Sequence, residues 1–114
     1  MKGHLIHSVE QAEYPHPQHE RFFLRDLVLA GDNPDLSLHR GRVEAGGEIR
    51  LHCHEGRTET FYLLRGEALC TIDGQEHRCG PGSCIVAPPG LQHGLKNIGD
   101  EPVELLAIFS PPLK

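Results

Sequence analysis

Gly46-Gly47-Glu48-Ile49-Arg50-Leu51-His52-Cys53-His54-Glu55-Gly56-Arg57-Thr58-Glu59, running on through Thr60-Phe61-Tyr62-Leu63-Leu64-Arg65 to Gly66, is the stretch on which the fold turns. Side chains two apart on a strand point to one face, so His52 and His54 project together. Gly56 permits a turn after them. Glu59 then opens an apolar strand, where a carboxylate is costly unless something binds it. Two imidazoles on one face beside an inward carboxylate are ingredients of a transition-metal site. His93, just after Pro88-Pro89-Gly90, stands at the lip of another strand and could supply a further nitrogen.

Outward from this stretch, turn signals recur at strand spacing. Between Gly31 and Pro111 the longest segment free of Gly and Pro runs from 57 to 65, so almost no helix fits. Segments 22–29, 36–43, 68–72, 83–87 and 103–109 read as short strands, with Asp73-Gly74 as a tight hairpin turn. This rhythm predicts an all-β sandwich or barrel. Residues 1–20 read as a lead packing on it, with a helical turn or two over 8–13 from the capping pattern of Ser8 and Gln11. Residues 21–114 then form one barrel domain. The 114 residues suffice for one domain and not two.

Composition narrows the function. With 38% hydrophobic residues the chain can bury a core. Lys and Arg number 11 against 16 Asp and Glu, for a net charge of −5, which removes the basic footprint of a nucleic-acid binder and a polybasic membrane patch. No apolar run approaches the roughly 18 residues of a membrane-spanning helix. The first residues lack a signal-peptide core, so the expected compartment is the cytoplasm. There Cys53, Cys70, Cys79 and Cys84 are expected as free thiols, and their spacing contains no C-x-x-C. The 9 histidines are the outlier and point to metal or proton chemistry.

The spacings match two patterns at every fixed position. Gly46, His52, His54, Glu59 and Gly66 fit G-x5-H-x-H-x4-E-x6-G, and Gly82, Pro88, Gly90, His93 and Asn97 fit G-x5-P-x-G-x2-H-x3-N. In these motifs (46–66 and 82–97) and the short spacer between them, the chain resembles the small single-domain cupins. The resemblance implies a double-stranded β-helix, or jelly-roll, barrel holding a divalent metal on His52, His54, Glu59 and His93. Such a ligand set suits Fe, Mn, Ni, Co, Cu or Zn over Ca and Mg, and leaves positions open for a small oxygenated or carboxylated molecule. The resemblance spans dioxygenases, isomerases and lyases, as well as members that bind without turnover. A metal-dependent enzyme of dioxygenase or isomerase/lyase type is the leading expectation. A non-enzymatic metal or small-ligand binding module is the alternative, and the fold by itself does not separate them.

Other residues carry narrower expectations. Arg50 has the parity of His52 and His54; in an unbulged strand its guanidinium would reach the barrel mouth and hold a substrate carboxylate, and otherwise it is a surface Arg. Phe61 and Leu63 share parity with Glu59 and are expected as apolar pocket wall. Cys53 should face away from the ligands as a small buried residue, whereas Cys70 should pack inward. Asn97 reads as a turn or strand-end residue. His4, His7, His16 and His19 read as surface histidines of the lead, and His39 and His77 as ordinary surface or strand residues. Apolar residues on both faces of 22–29 predict a homodimer.

Overall fold

A computed structural model describes residues 3–114. A short 3-10 turn (Ser8–Glu10) leads into β1 (Glu13–Pro15), β2 (Glu20–Val28), β3 (Ser37–His52) and β4 (Thr58–Arg65). There follow β5 (Ala68–Ile72), β6 (Gln75–Cys79), β7 (Cys84–Ala87), β8 (His93–Asn97) and β9 (Val103–Ser110). All pairings are antiparallel, and the sheet runs β6-β5-β8-β3-β9-β4-β7, with β2 also on β3 and β1 on β2. This is the expected jelly-roll barrel. The helical turns expected over 8–13 shrink to the 3-10 turn, whose cap makes no side-chain hydrogen bond.

The long strand β3 organises the barrel because it changes partners along its length. Its first part pairs with β9, from Ser37 opposite Phe109 to Val43 opposite Val103. Its last part pairs with β8, where His52 lies opposite His93. The change falls at Gly46-Gly47. Gly46 has φ +80°, and a Cβ on Gly47 would meet the carbonyl oxygen of Glu20 at 2.7 Å, so only glycine lets β2 press against this corner. The β5–β6 hairpin closes as expected on Asp73 and Gly74, both at positive φ, the backbone of a type I′ turn.

Alternation along the strands builds the core. Val43, Leu63, Ala68, Cys70, Val103 and Leu105 are fully buried; each large side chain among them contributes roughly 1.5–3 kcal/mol by leaving water. Asn97 closes the turn into β9: its Nδ2 donates to the carbonyls of Val43 and Glu101, and its Oδ1 accepts from the Gly99 N–H.

Part of what a partner would cover on β2 is covered within the chain, by β1 at its edge and by the Arg42 guanidinium 4.5 Å above the Phe23 ring. Of the two readings of His39, surface or strand residue, the structure takes the second: it lies in β3 and is buried. Its Nδ1 lies 2.7 Å from Asp26 Oδ1 and its Nε2 lies 3.0 Å from Ser37 Oγ. Asp26 also accepts from the Tyr14 hydroxyl and pairs with Lys114, so this network ties β1, β2, β3 and the C-terminal residues together.

Candidate metal centre

Four side chains from three strands and the loop after β3 converge inside the barrel. His52 ends β3, His54 follows in that loop, Glu59 lies near the start of β4 and His93 opens β8. One ligand atom from each falls within 4.8 Å of all the others. Metal bonds to N and O of about 2.0–2.2 Å put opposite donors roughly 4.2 Å apart, so the set needs only a small contraction to surround an ion. Glu59 Oε1 is the hub, 2.7 Å from Nε2 of His93, 3.1 Å from Nε2 of His54 and 3.7 Å from Nε2 of His52.

The outer nitrogens show what this arrangement is suited to hold. Nδ1 of His52 donates to the Arg50 carbonyl at 2.7 Å, and Nδ1 of His93 donates to the Leu91 carbonyl at 3.0 Å. A carbonyl only accepts, so the hydrogen of each neutral ring sits on Nδ1 and a lone pair remains on Nε2. Those lone pairs face a buried carboxylate oxygen. Acceptors gathered in this way repel one another unless they share a cation, and the donor set fits a divalent transition metal.

Electrostatics agree. Burial works to raise the Glu59 carboxyl, but the three imidazoles around it, His52, His54 and His93, overcome this and hold the group well below the ordinary carboxylate range, with a proton in the place of the cation between Nε2 of His93 and Oε1 when no metal is bound. Burial works to lower His93, yet Glu59 and the Leu91 carbonyl raise it above the ordinary imidazole value. Negative charge is therefore retained at the hub.

A cavity of about 200 Å³ opens beside His52, His54 and Glu59. Its far walls are apolar, formed among others by Phe22, Phe61, Phe109 and Leu113. Phe61 stands on the wall as expected, whereas Leu63 is fully buried in the core and not on that wall. A larger groove of about 400 Å³ lies elsewhere, lined by Arg25, Arg40 and Arg42 with Glu13 and Glu104, and holds none of the four groups.

Arg50 lies outside the cavity. Between Ile49 opposite Leu95 and His52 opposite His93, β3 advances three residues while β8 advances two, a β-bulge. The bulge breaks parity: Ile49 and His52 turn inward, and Arg50 is exposed and paired with Glu20. Cys53 faces away from the ligands but is exposed, not buried, because the chain has left the strand. Cys70 is buried as expected.

Two lining residues were not anticipated. His16 and His19, read from sequence as surface histidines, line the cavity, with the His19 ring 4.9 Å from that of His52. Burial lowers both from the ordinary imidazole value, His19 to about 4, with neighbouring imidazole charge adding to it. Their three-residue spacing before β2 was the one available signal. His4, His7 and His77 are exposed.

A jelly-roll barrel with three imidazoles and one carboxylate converging on an interior point is the architecture of a cupin. The Cupin domain family model matches residues 39–109, and the chain belongs to that family. It is 34% identical to an uncharacterized protein of Methanocaldococcus jannaschii over 67% of this chain and 61% of that one. It is 30% identical to an oxalate-binding protein of Thermotoga maritima over 61% of this chain and 58% of that one. The chain thus spans less than two thirds of the length of these relatives. A crystal structure from Thermotoga maritima, described as a predicted oxalate decarboxylase, superposes with a TM-score of 0.86 at 23% identity, over 95% of this chain and 99% of that one.

Proposed function

We propose that this cupin binds a divalent transition metal through His52, His54, Glu59 and His93 and acts as a metal-dependent enzyme on a small oxygenated or carboxylated molecule. The observation that carries the reading is the convergence of Nε2 of His52, His54 and His93 on one buried carboxylate oxygen, with Nδ1 of His52 and of His93 held by main-chain carbonyls. Fe, Mn, Ni, Co, Cu and Zn all suit these donors. When bound, the ion supplies Lewis-acid polarisation of a ligand oxygen and a lowered water pKa, or O2 chemistry if it is redox-active. The chain supplies the rest. Carbonyls of residues 50 and 91 fix the ring tautomers, Glu59 balances the charge, and the aromatic walls exclude water from one side of the ligand. A volume of about 200 Å³ lies below the usual span of ligand pockets and restricts that ligand to a small molecule.

Metal content measured on protein purified without chelators or nickel resin tests the first half. About one ion per chain is expected, and protein that takes up none under excess Zn, Mn or Fe overturns it. Oxygen uptake and substrate loss with small hydroxy and keto acids test the second half. The relative described as an oxalate-binding protein favours a second reading, a module that holds a small carboxylate without turnover. Saturable binding with no product over hours decides for that module.

We further propose that the chain works as a homodimer in the cytoplasm. The outer face of β4 and β7 exposes Tyr62 and Val86 on neighbouring strands, and the four cysteines are free thiols. Sedimentation equilibrium at micromolar concentration should give twice the 12.6 kDa chain mass; a single-chain mass counts decisively against pairing.

A further inference from the structure

His16 and His19 stand outside the four converging groups, yet both line their cavity. Their rings lie 4.3 Å apart, with His19 next to His52. Each ring is tied to the main chain through one nitrogen. The Gln18 N–H donates to Nδ1 of His16 at 3.2 Å, and the Arg50 N–H donates to Nδ1 of His19 at 3.0 Å. A backbone N–H can only donate, so Nδ1 is the bare acceptor in both, and the neutral ring carries its hydrogen on Nε2.

This is the opposite tautomer to that of His52 and His93, whose Nδ1–H groups are held by carbonyls. The two sets of imidazoles therefore have different chemistry in one cavity. The inner set offers lone pairs, which suit a cation. The outer set offers N–H hydrogens, which suit an oxygen. Among the described residues neither outer Nε2–H is engaged by a protein acceptor. Nε2 and Nδ1 lie on opposite flanks of a ring, so each free N–H is turned away from the main chain that holds it.

We propose that His16 and His19 form a pair of N–H donors at the cavity mouth that recognises an oxyanion, the carboxylate or enolate oxygen of a small ligand whose other end reaches toward His52, His54, Glu59 and His93. The inference deepens the metal-site reading and rests on it. Two neutral donors bind such an oxygen without adding positive charge beside the ion. They also explain why the N-terminal residues fold back over β3 with two imidazoles on the cavity side. The pair positions a ligand by hydrogen bonding and makes no covalent step.

Two substitutions at one site separate this role from a structural one. His19→Asn keeps an acceptor near Nδ1 for the Arg50 N–H but has nothing at the Nε2 position. His19→Gln does the reverse, bringing an amide N–H close to where Nε2–H stood. Zinc-loaded wild type and both variants would be titrated calorimetrically with pyruvate and with oxalate, and zinc per chain measured on each sample before and after. His19→Asn should weaken binding by about tenfold or more, and His19→Gln should stay within about threefold of wild type, with zinc content unchanged. His16→Asn, a second variant against a folding failure at residue 19, should also weaken binding by about tenfold. Asn variants that take up zinc and bind both probes like wild type overturn the inference alone. Zinc-loaded wild type that binds neither probe overturns it as well. Wild type that takes up no zinc overturns the metal reading and this inference with it.

Discussion

Nε2 of His93 lies 2.7 Å from Oε1 of Glu59, and both side chains are shut off from solvent. With Nδ1 of His93 committed to the Leu91 carbonyl, this contact is stable only with a cation between or upon the two atoms. In the metal-free chain that cation is a proton. In the loaded chain it is the metal, and the two states respond differently to mutation and to pH.

Removing one inner imidazole should cost the ion. For His54→Ala and His93→Ala, zinc per chain after equilibrium dialysis should fall well below half of the wild-type value. The rise in melting temperature that zinc gives the wild type should vanish, because that rise is mass action on the folded state. Full occupancy in His54→Ala protein would show that the ligand set is wrong.

The pH profile of the metal-free protein should carry the mark of His19. A histidine whose folded value is depressed, here from 6.5 to about 4, stabilises the fold above the unfolded value and loses that contribution as pH falls from 6.5 toward 4. His16 acts in the same sense, whereas the contribution of His93, whose folded value is raised, is complete below 6.5 and is lost only as pH rises above that window. Urea melts in EDTA should show stability dropping across that window, and His19→Gln should flatten the drop. An equally steep profile in the variant would place the titration elsewhere.

Asp26 is the stability hinge outside the site. Burial works to raise its carboxyl, but Tyr14, Lys114 and His39 together hold it below its ordinary value. Its contribution is present above an unfolded value near 3.8 and is lost as pH falls through the folded one. Asp26→Asn should destabilise by about 1–2 kcal/mol at neutral pH, read as a lower urea midpoint at unchanged slope, with zinc uptake intact. A midpoint equal to wild type would show that the network adds nothing.

Arg50 supplies the contrary case. Its side chain is 56% exposed and its partner Glu20 is 50% exposed. Arg50→Ala should therefore change stability by no more than about 0.5 kcal/mol and leave both zinc uptake and pyruvate affinity unchanged. A loss of pyruvate affinity would return the guanidinium to the cavity and remove the bulge as the reason for its exclusion.

What the sequence by itself determined is what short-range geometry controls. Breakers at strand spacing excluded helices, Asp73-Gly74 specified its turn, and alternation placed His52 and His54 on one face; the full set of His52, His54, Glu59 and His93 was implied only by the resemblance of the two motifs to the cupins. These readings depend on neighbours a few residues away, where alternation and turn chemistry act. Tertiary structure decided the rest. Arg50 faces outward because pairing with β8 inserts a bulge after Ile49, a property of two strands and not of one. His39 is buried because Asp26 and Ser37 supply partners for both its nitrogens. His16 and His19 enter the cavity because β1 and β2 fold back along β3, bringing His19 to the Arg50 N–H across 31 positions of chain. Alternation along a strand is local, but which strand lies beside it, and in what register, is set by the burial of the whole core.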